Sequence, residues 1–285
     1  MDLDGRILLC PLRGAVTAAA VGFTNAIAVG DAVIVTPRGD DAGIVEAVLP
    51  RRSALARPDV HRTHLQQVIV ANADQVLVVA AWRDPAIWLE LVDRYLITAQ
   101  CFHLHPIICV NKTDLASDSE VFRGTMQPYV DLGYRVVFTS AATGDGVAAL
   151  RAALAGHTTV LAGLSGVGKS SLLTAVQPGL RLRTSAVAEH HIGRHTTTQV
   201  HMHRLDAGGY VIDTPGIREF GLSGLHQSDI AAFYPEIAAL AASCRFSDCS
   251  HQHEEGCAVL AGLQTGAVSE VRYHSYTRIC ESLPG

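Results

Sequence analysis

The run Gly163-Leu164-Ser165-Gly166-Val167-Gly168-Lys169-Ser170 fits the pattern G-x-x-x-x-G-K-S, and no other stretch restricts the fold of this chain so tightly. Such a loop functions only where a strand delivers it and a helix leaves it, because its backbone N–H groups and the helix N-terminus must converge on one anion. Residues 158–162 supply an apolar strand, and residues 170–176 open a helix. The glycines keep Cβ atoms out of the turn, Lys169 brings a point charge to β- and γ-phosphate oxygens, and the Ser170 hydroxyl is a Mg²⁺ ligand. The chain has only one other lysine, Lys112, and it lies in Asn111-Lys112-Thr113-Asp114.

That second motif, N-K-x-D, carries base selection. The Asp114 carboxylate can accept two hydrogen bonds from the N1–H and N2 amino group of guanine, and adenine cannot donate both. Lys112 packs its stem over the base, and Asn111 bridges to the phosphate loop. Ser140-Ala141, after a strand over 135–140, fits the S-A-x turn whose backbone meets guanine O6. Downstream of the phosphate loop, Asp213-Thr214-Pro215-Gly216 follows the apolar run Tyr210-Val211-Ile212. Here Asp213 can hold a Mg²⁺ water and the Gly216 N–H can sense a γ-phosphate. Between them lies Gly193-Arg194-His195-Thr196-Thr197-Thr198, where Thr197, with Thr196 next, is the candidate to complete the Mg²⁺ shell. An ordinary surface Ser/Thr turn is the bland alternative. The order is base, base, phosphate, switch, switch, whereas an ordinary GTPase begins with the phosphate loop. The chain therefore predicts a circularly permuted GTPase with GTP or GDP and Mg²⁺ as ligands. A phosphate-loop ATPase or small-molecule kinase is the rival class, and Asp114 argues against it.

A second constellation lies near the C-terminus. Cys244, Cys249, His251 and Cys257 form C-x4-C-x-H-x5-C. Three sulfurs and one imidazole are a closed tetrahedral set, as expected for one structural Zn²⁺; His253 is an alternative ligand. Cys10, Cys101, Cys109 and Cys280 read as apolar fillers.

Around these motifs the chain divides into three parts. Residues 1–60 are β-prone and punctuated by Gly and Asp, with 50–58 reading as a linker. Residues 61–222 alternate apolar runs with helical stretches: strands at 75–81, 106–110, 135–140, 158–162 and 210–213, helices at 86–100 and 146–154. Residues 223–285 carry a helix, the Cys/His cluster and a final helix over 268–281. The apolar run 68–81 is broken by Asn72, Asp74 and Gln75, and the start Met1-Asp2-Leu3-Asp4 is unlike a signal peptide, so a cytoplasmic protein with no membrane partner is expected. Net charge is −5. Residues 1–65 hold seven Arg against seven acids (7 − 7 = 0), and residues 223–285 three against seven (3 − 7 = −4). Any RNA contact is therefore local, as in the Arg- and His-rich stretch 181–204.

Taken together, 163–172 (G-L-S-G-V-G-K-S-S-L, including Ser171), G-R-H-T-T-T at 193–198, D-T-P-G-I-R-E-F-G-L at 213–222 and C-R-F-S-D-C-S-H-Q-H-E-E-G-C-A-V at 244–259 resemble the RsgA family. Pro50-Arg51-Arg52-Ser53 and Ala71-Asn72-Ala73-Asp74-Gln75 match as well. The resemblance covers 49–281 and implies an α/β permuted P-loop GTPase domain between an N-terminal OB-fold, complete or abbreviated, and a C-terminal helical zinc domain. It also implies GTP hydrolysis stimulated by the 30S ribosomal subunit during late maturation, with 16S rRNA as partner, no DNA, and action as a monomer. Leu164 departs from the polar residue common there in the family, and the stretch before Leu12 is short.

The place where ordinary GTPases carry a water-positioning Gln is Ile217, which predicts slow intrinsic turnover. His195, beside the switch threonines, is the candidate to orient water; contact with rRNA or simple filling of the switch is the alternative. Ile217 also suits a GTP-dependent checkpoint that barely hydrolyses. His190, His191, His201 and His203 flank the same loop, as solvated side chains or a second metal site. Because Asp213 leads into the zinc domain, the γ-phosphate state is expected to tilt that domain.

Overall fold

The computed structural model describes residues 2–3, 6–14, 16, 23–58, 65–180, 200–213, 222 and 224–284. Strands β1 (Asp2–Leu3) and β2 (Arg6–Ile7) pair, as do β3 (Val33–Pro37) with β4 (Gly43–Val48) and β5 (Ala54–Pro58) with β6 (Gln66–Ala71). Single bridges Leu9↔Ala42, Leu12↔Val45, Phe23↔Gln66 and Val29↔Val70 stitch these pairs together. The strand-rich N-terminal module is thus as expected, but the linker over 50–58 is not. Its second half is β5, with Leu55 buried in the core. The Pro and Arg punctuation hid a strand whose partner, β6, supplies the alternation, and the pair spans residue 60. Arg51 is fixed by Asp31 through two hydrogen bonds of 2.7 and 2.8 Å, with the Asp31 side chain buried.

The central sheet has the order β11-β12-β10-β7-β8-β9. It uses β7 (Gln75–Ala81), β8 (His105–Asn111), β9 (Arg135–Phe138), β10 (Thr158–Ala162), β11 (His201–Arg204) and β12 (Tyr210–Asp213). All neighbours are parallel except the edge strand β11, which is antiparallel to β12. Every residue of β7 is buried, as a central parallel strand covered on both faces must be. Its one polar side chain, Gln75, donates to Ala153 O (3.0 Å) and Thr159 Oγ1 (2.9 Å).

Helices α1 (Leu89–Cys101) and α2 (Ser119–Asp131) cover one face, and α3 (Val147–Leu154) and α4 (Lys169–Val176) the other. The chain leaves β7 toward β8 and β9, then returns to the other side of β7 as β10. That reversal places a crevice at the carboxyl ends of β7 and β10, where open α/β sheets bind ligands.

The C-terminal region comprises α5 (Gln227–Ile230), a 3₁₀ turn (Ala231–Phe233), α6 (Pro235–Ala241), α7 (Ala258–Thr265) and α8 (Glu270–Glu281). The last helix starts two residues later than expected, with Ser269 as N-cap and Val268 buried beneath it. Helix α1 starts at Leu89 rather than 86, because residues 82–88 form a loop across the crevice. No helix among the described residues is long and apolar enough to cross a membrane.

Candidate functional site

Four loops at the carboxyl edge of the sheet meet in this crevice. The phosphate loop leaves β10 with Val167 buried as its anchor and Ser165 and Gly166 exposed. Its glycines are required by space as well as by dihedral angle. A Cβ on Gly163 (φ +135°) would lie 2.1 Å from Val79 O, and one on Gly168 (φ +95°) would lie 2.4 Å from Asn111 Nδ2. The backbone is therefore pressed against neighbouring strands, in the glycine-rich turn that an anion cradle requires. Lys169 directs its ammonium to the carbonyls of Gly163 (2.8 Å) and Leu164 (2.7 Å), across the mouth of the loop. Ser170 stands in the first turn of α4 just after Lys169, Ser171 follows it exposed to solvent, and Asp213 ends β12 two strands along the sheet order from β7.

The N-K-x-D residues sit at the end of β8. Asn111, 1% exposed, donates from Nδ2 to Val167 O at 2.9 Å and accepts at Oδ1 from Thr139 Oγ1 and Ala141 N, each at 3.2 Å. It thus ties the phosphate loop to the S-A turn, the bridge expected of it. Lys112 takes a left-handed conformation (φ 60°) that turns the chain into a 3₁₀ turn, Thr113–Leu115. Thr113 is held to Thr139 O by its N–H (3.2 Å) and its hydroxyl (3.0 Å). Ser140, fully buried, donates to Asp114 Oδ1 at 2.6 Å and accepts from Thr143 N at 3.1 Å. The Asp114 carboxylate is oriented from below and left at the surface, where it can take a ligand's donors.

Two contributors leave no signal in the amino-acid order. The carbonyl of Asp84, in the loop after β7, accepts a short hydrogen bond from Lys112 Nζ, and Thr139 orients Asn111. Leu164, the unusual residue of the phosphate loop, lines an apolar recess against Ile87, Trp88 and Leu91. His195, Thr196, Thr197, Gly216 and Ile217 lie outside the described residues, as do His190 and His191. His201 and His203 are on β11, where burial lowers the His203 imidazole pKa; among the described residues they join no metal-ligand set.

The Cys/His quartet converges. The ligand atoms of Cys244, Cys249, His251 and Cys257 all lie within 4.8 Å of one another. Cys244 Sγ is 3.5 Å and Cys257 Sγ 3.6 Å from His251 Nδ1, and the two sulfurs are 3.9 Å apart. A tetrahedron with Zn–S of about 2.3 Å and Zn–N of about 2.05 Å has edges of about 3.8 Å (S–S) and about 3.6 Å (S–N), so this set fits zinc. Cys257 is the N-cap of α7, and its sulfur accepts from Leu260 N. Burial alone would raise the Cys244 thiol, but N–H groups of Ala258 and Val259 lower it. Burial pushes the Cys249 thiol up to about 12, and a bound cation would favour its thiolate. Glu254 folds the loop by accepting from Ser250 N (2.6 Å), Gln252 N (3.1 Å) and His253 N (3.2 Å). Tyr273 and Tyr276 donate to the carbonyls of His251 and Ser250. His253 is exposed and outside the quartet. Of the expected fillers, Cys109 and Cys280 are buried and Cys10 is half-buried, but Cys101 is exposed because it ends α1 at the surface.

Comparison with known proteins agrees with this geometry. The family model described as RsgA GTPase matches residues 48–223. Two relatives are each described as small ribosomal subunit biogenesis GTPase RsgA. The Moorella thermoacetica protein is 40% identical over 277 residues, covering 97% of this chain and 90% of the relative. The Gemmatimonas aurantiaca protein is 40% identical over 285 residues, covering 99% and 92%. Among solved structures, YjeQ from Thermotoga maritima superposes with a TM-score of 0.78 at 34% identity, covering 97% of this chain and 90% of that one. YloQ, described as a circularly permuted GTPase, gives 0.72 at 29% identity, with coverage of 96% and 85%.

Proposed function

The chain belongs to the RsgA GTPase family, a GTPase of small ribosomal subunit biogenesis, and we propose how its residues divide that work. Gly163, Leu164, Ser165, Gly166, Val167, Gly168, Lys169, Ser170 and Ser171 hold the phosphates. Asn111, Lys112, Thr113 and Asp114, with Ser140 and Ala141, hold guanine. Ser170, Asp213 and one of Thr196 or Thr197 complete the Mg²⁺ site, and Gly216 senses the γ-phosphate. Mg²⁺ would neutralise charge developing on the β- and γ-oxygens. The observation that carries this reading is Asn111, which joins the N-K-x-D turn, the S-A turn and the phosphate loop in one hydrogen-bonded unit.

The same proposal gives His195 the attacking water, in place of the Gln that Ile217 displaces, and gives Cys244, Cys249, His251 and Cys257 one structural Zn²⁺. The strand pairs and bridges among the described N-terminal residues support an OB-like module, and the helices between Gln227 and Glu281 with the Cys/His quartet support a helical zinc domain over 223–285. The 30S subunit with its 16S rRNA is the partner, met in the cytoplasm by a monomer. Ile217 favours a second reading, a GTP-dependent ribosome checkpoint with negligible hydrolysis. GTP turnover alone and with 30S subunits, against an ATP control, separates them. Strong GTP-specific stimulation supports the enzyme, whereas tight GTP binding without stimulation supports the checkpoint. Equal ATP turnover would overturn the guanine assignment.

A further inference from the structure

Helix α1 belongs to two domains at once. Val92, Tyr95 and Leu96 pack on the central sheet, while Ile97 sits in the C-terminal core with Tyr234, Ile237, Tyr276 and Ile279. Beside Ile97, Asp93 is 1% exposed and receives the guanidinium of Arg272, also 1% exposed. Arg272 also donates from Nε to Glu236 Oε1 at 2.8 Å. Its guanidinium lies between the rings of Tyr234 and Tyr129, at 4.3 and 5.1 Å from their centroids. At the rim, Arg94 donates to Ser282 Oγ (2.7 Å) and Gln100 to Phe233 O (3.0 Å). The helix is thus fastened to α8, α6 and the 3₁₀ turn along its length.

The leading end of α1 reaches the nucleotide site. In the loop of residues 82–88, Trp82 N donates to Asn111 O at 2.8 Å, and the Asp84 carbonyl accepts from Lys112 Nζ. Pro85 is 3.8 Å from where a Cβ of Gly166 would stand. The loop that leads into α1 therefore touches the base motif and the phosphate loop, and α1 itself is fastened to the metal domain along its flank.

We propose that α1 couples the guanine nucleotide site to the C-terminal metal domain, and that Asp93 is a positioning residue for nucleotide binding, acting through the Asp84–Lys112 contact. This rests on the GTPase reading above. A buried ion pair closed in by aromatic rings has few intermediate arrangements, because leaving either charge unpaired in the interior is costly. The metal domain consequently moves with α1. By linkage, a partner that shifts the metal domain changes nucleotide affinity by the same factor as nucleotide changes the partner's affinity.

The test is the dissociation rate and Kd of a fluorescent GDP analogue for the full chain and for Asp93→Asn, with zinc content and circular dichroism measured on the same samples. The expected result is about fivefold to twentyfold weaker GDP binding with one zinc retained and the fold unchanged. In a Lys112→Met background the same substitution should add no further loss, since the route it uses is gone. A purely structural role for Asp93 would give equal losses in both backgrounds. Should Asp93→Asn fail to fold, the rim variant Arg94→Ala/Gln100→Ala loosens the same seat without burying an unpaired charge and must show a faster GDP release. A folded, zinc-loaded variant with unchanged GDP kinetics overturns the proposal. Failure of the unmodified chain to bind GDP would overturn the nucleotide reading itself, which separates the two outcomes.

Discussion

Asn111 and Val167 are 56 residues apart in sequence, yet one hydrogen bond of 2.9 Å joins them. That contact explains why position 168 must be glycine: a methyl group there would collide with the amide that makes it. Gly168→Ala would also force an L side chain into a positive-φ conformation, at about 1–2 kcal/mol. We expect it to weaken GDP binding by at least tenfold, read by fluorescent-nucleotide titration, with the fold preserved by circular dichroism. Asp114 makes the complementary prediction. With Ser140 holding Oδ1, Asp114→Asn should turn the site from guanine toward xanthine, raising XTP competition while GTP binding falls. Unchanged GTP preference would place base selection elsewhere. At this scale the motif residues were legible because each is a side-chain chemistry that few other tasks need. Asp84 was illegible because it contributes only a carbonyl, which every residue has.

The elements were read from their periodicity, and the errors have physical causes. Strands β7, β10 and β12 lie where the apolar runs placed them, since a strand buried on both faces needs no partner to reveal itself. Strand β5 leaves no such signature, because its residues alternate only in the context of β6. The metal loop is an element with almost no regular structure, so its shape depends on Glu254 as well as on the ligands. Removing the carboxylate that accepts these three N–H groups with Glu254→Ala should cost about tenfold to a hundredfold in zinc affinity, measured by competition with a chromogenic chelator. Wild-type affinity in that variant would show that the ligands alone shape the loop. Helix α7 contributes its N-terminus to the sulfurs, a link suggested in sequence only by the apolar run after Cys257.

At the scale of the whole molecule, the permuted order of motifs loses its strangeness. The sheet gathers carboxyl ends of β8, β10 and β12 irrespective of which comes first in the chain. The packing of α1 against both the sheet and the C-terminal helices was not legible in the sequence. Ile97 reads as one more apolar residue of an amphipathic helix, yet it fills the C-terminal core. Ile97→Ala should therefore cost about 2–5 kcal/mol and lower the midpoints of sheet and metal domain together in denaturant. A shift confined to one of them would mean the domains unfold independently. The motifs and their spacing were readable along the chain alone, because a phosphate-loop pattern, an N-K-x-D pattern and a Cys/His quartet each need particular side chains at fixed intervals. Only the tertiary structure decided how these are joined, because the Asn111 bridge, the β5–β6 pair and the Arg272–Asp93 pair are contacts between distant residues. Their energy comes from burial and desolvation, which no local pattern records.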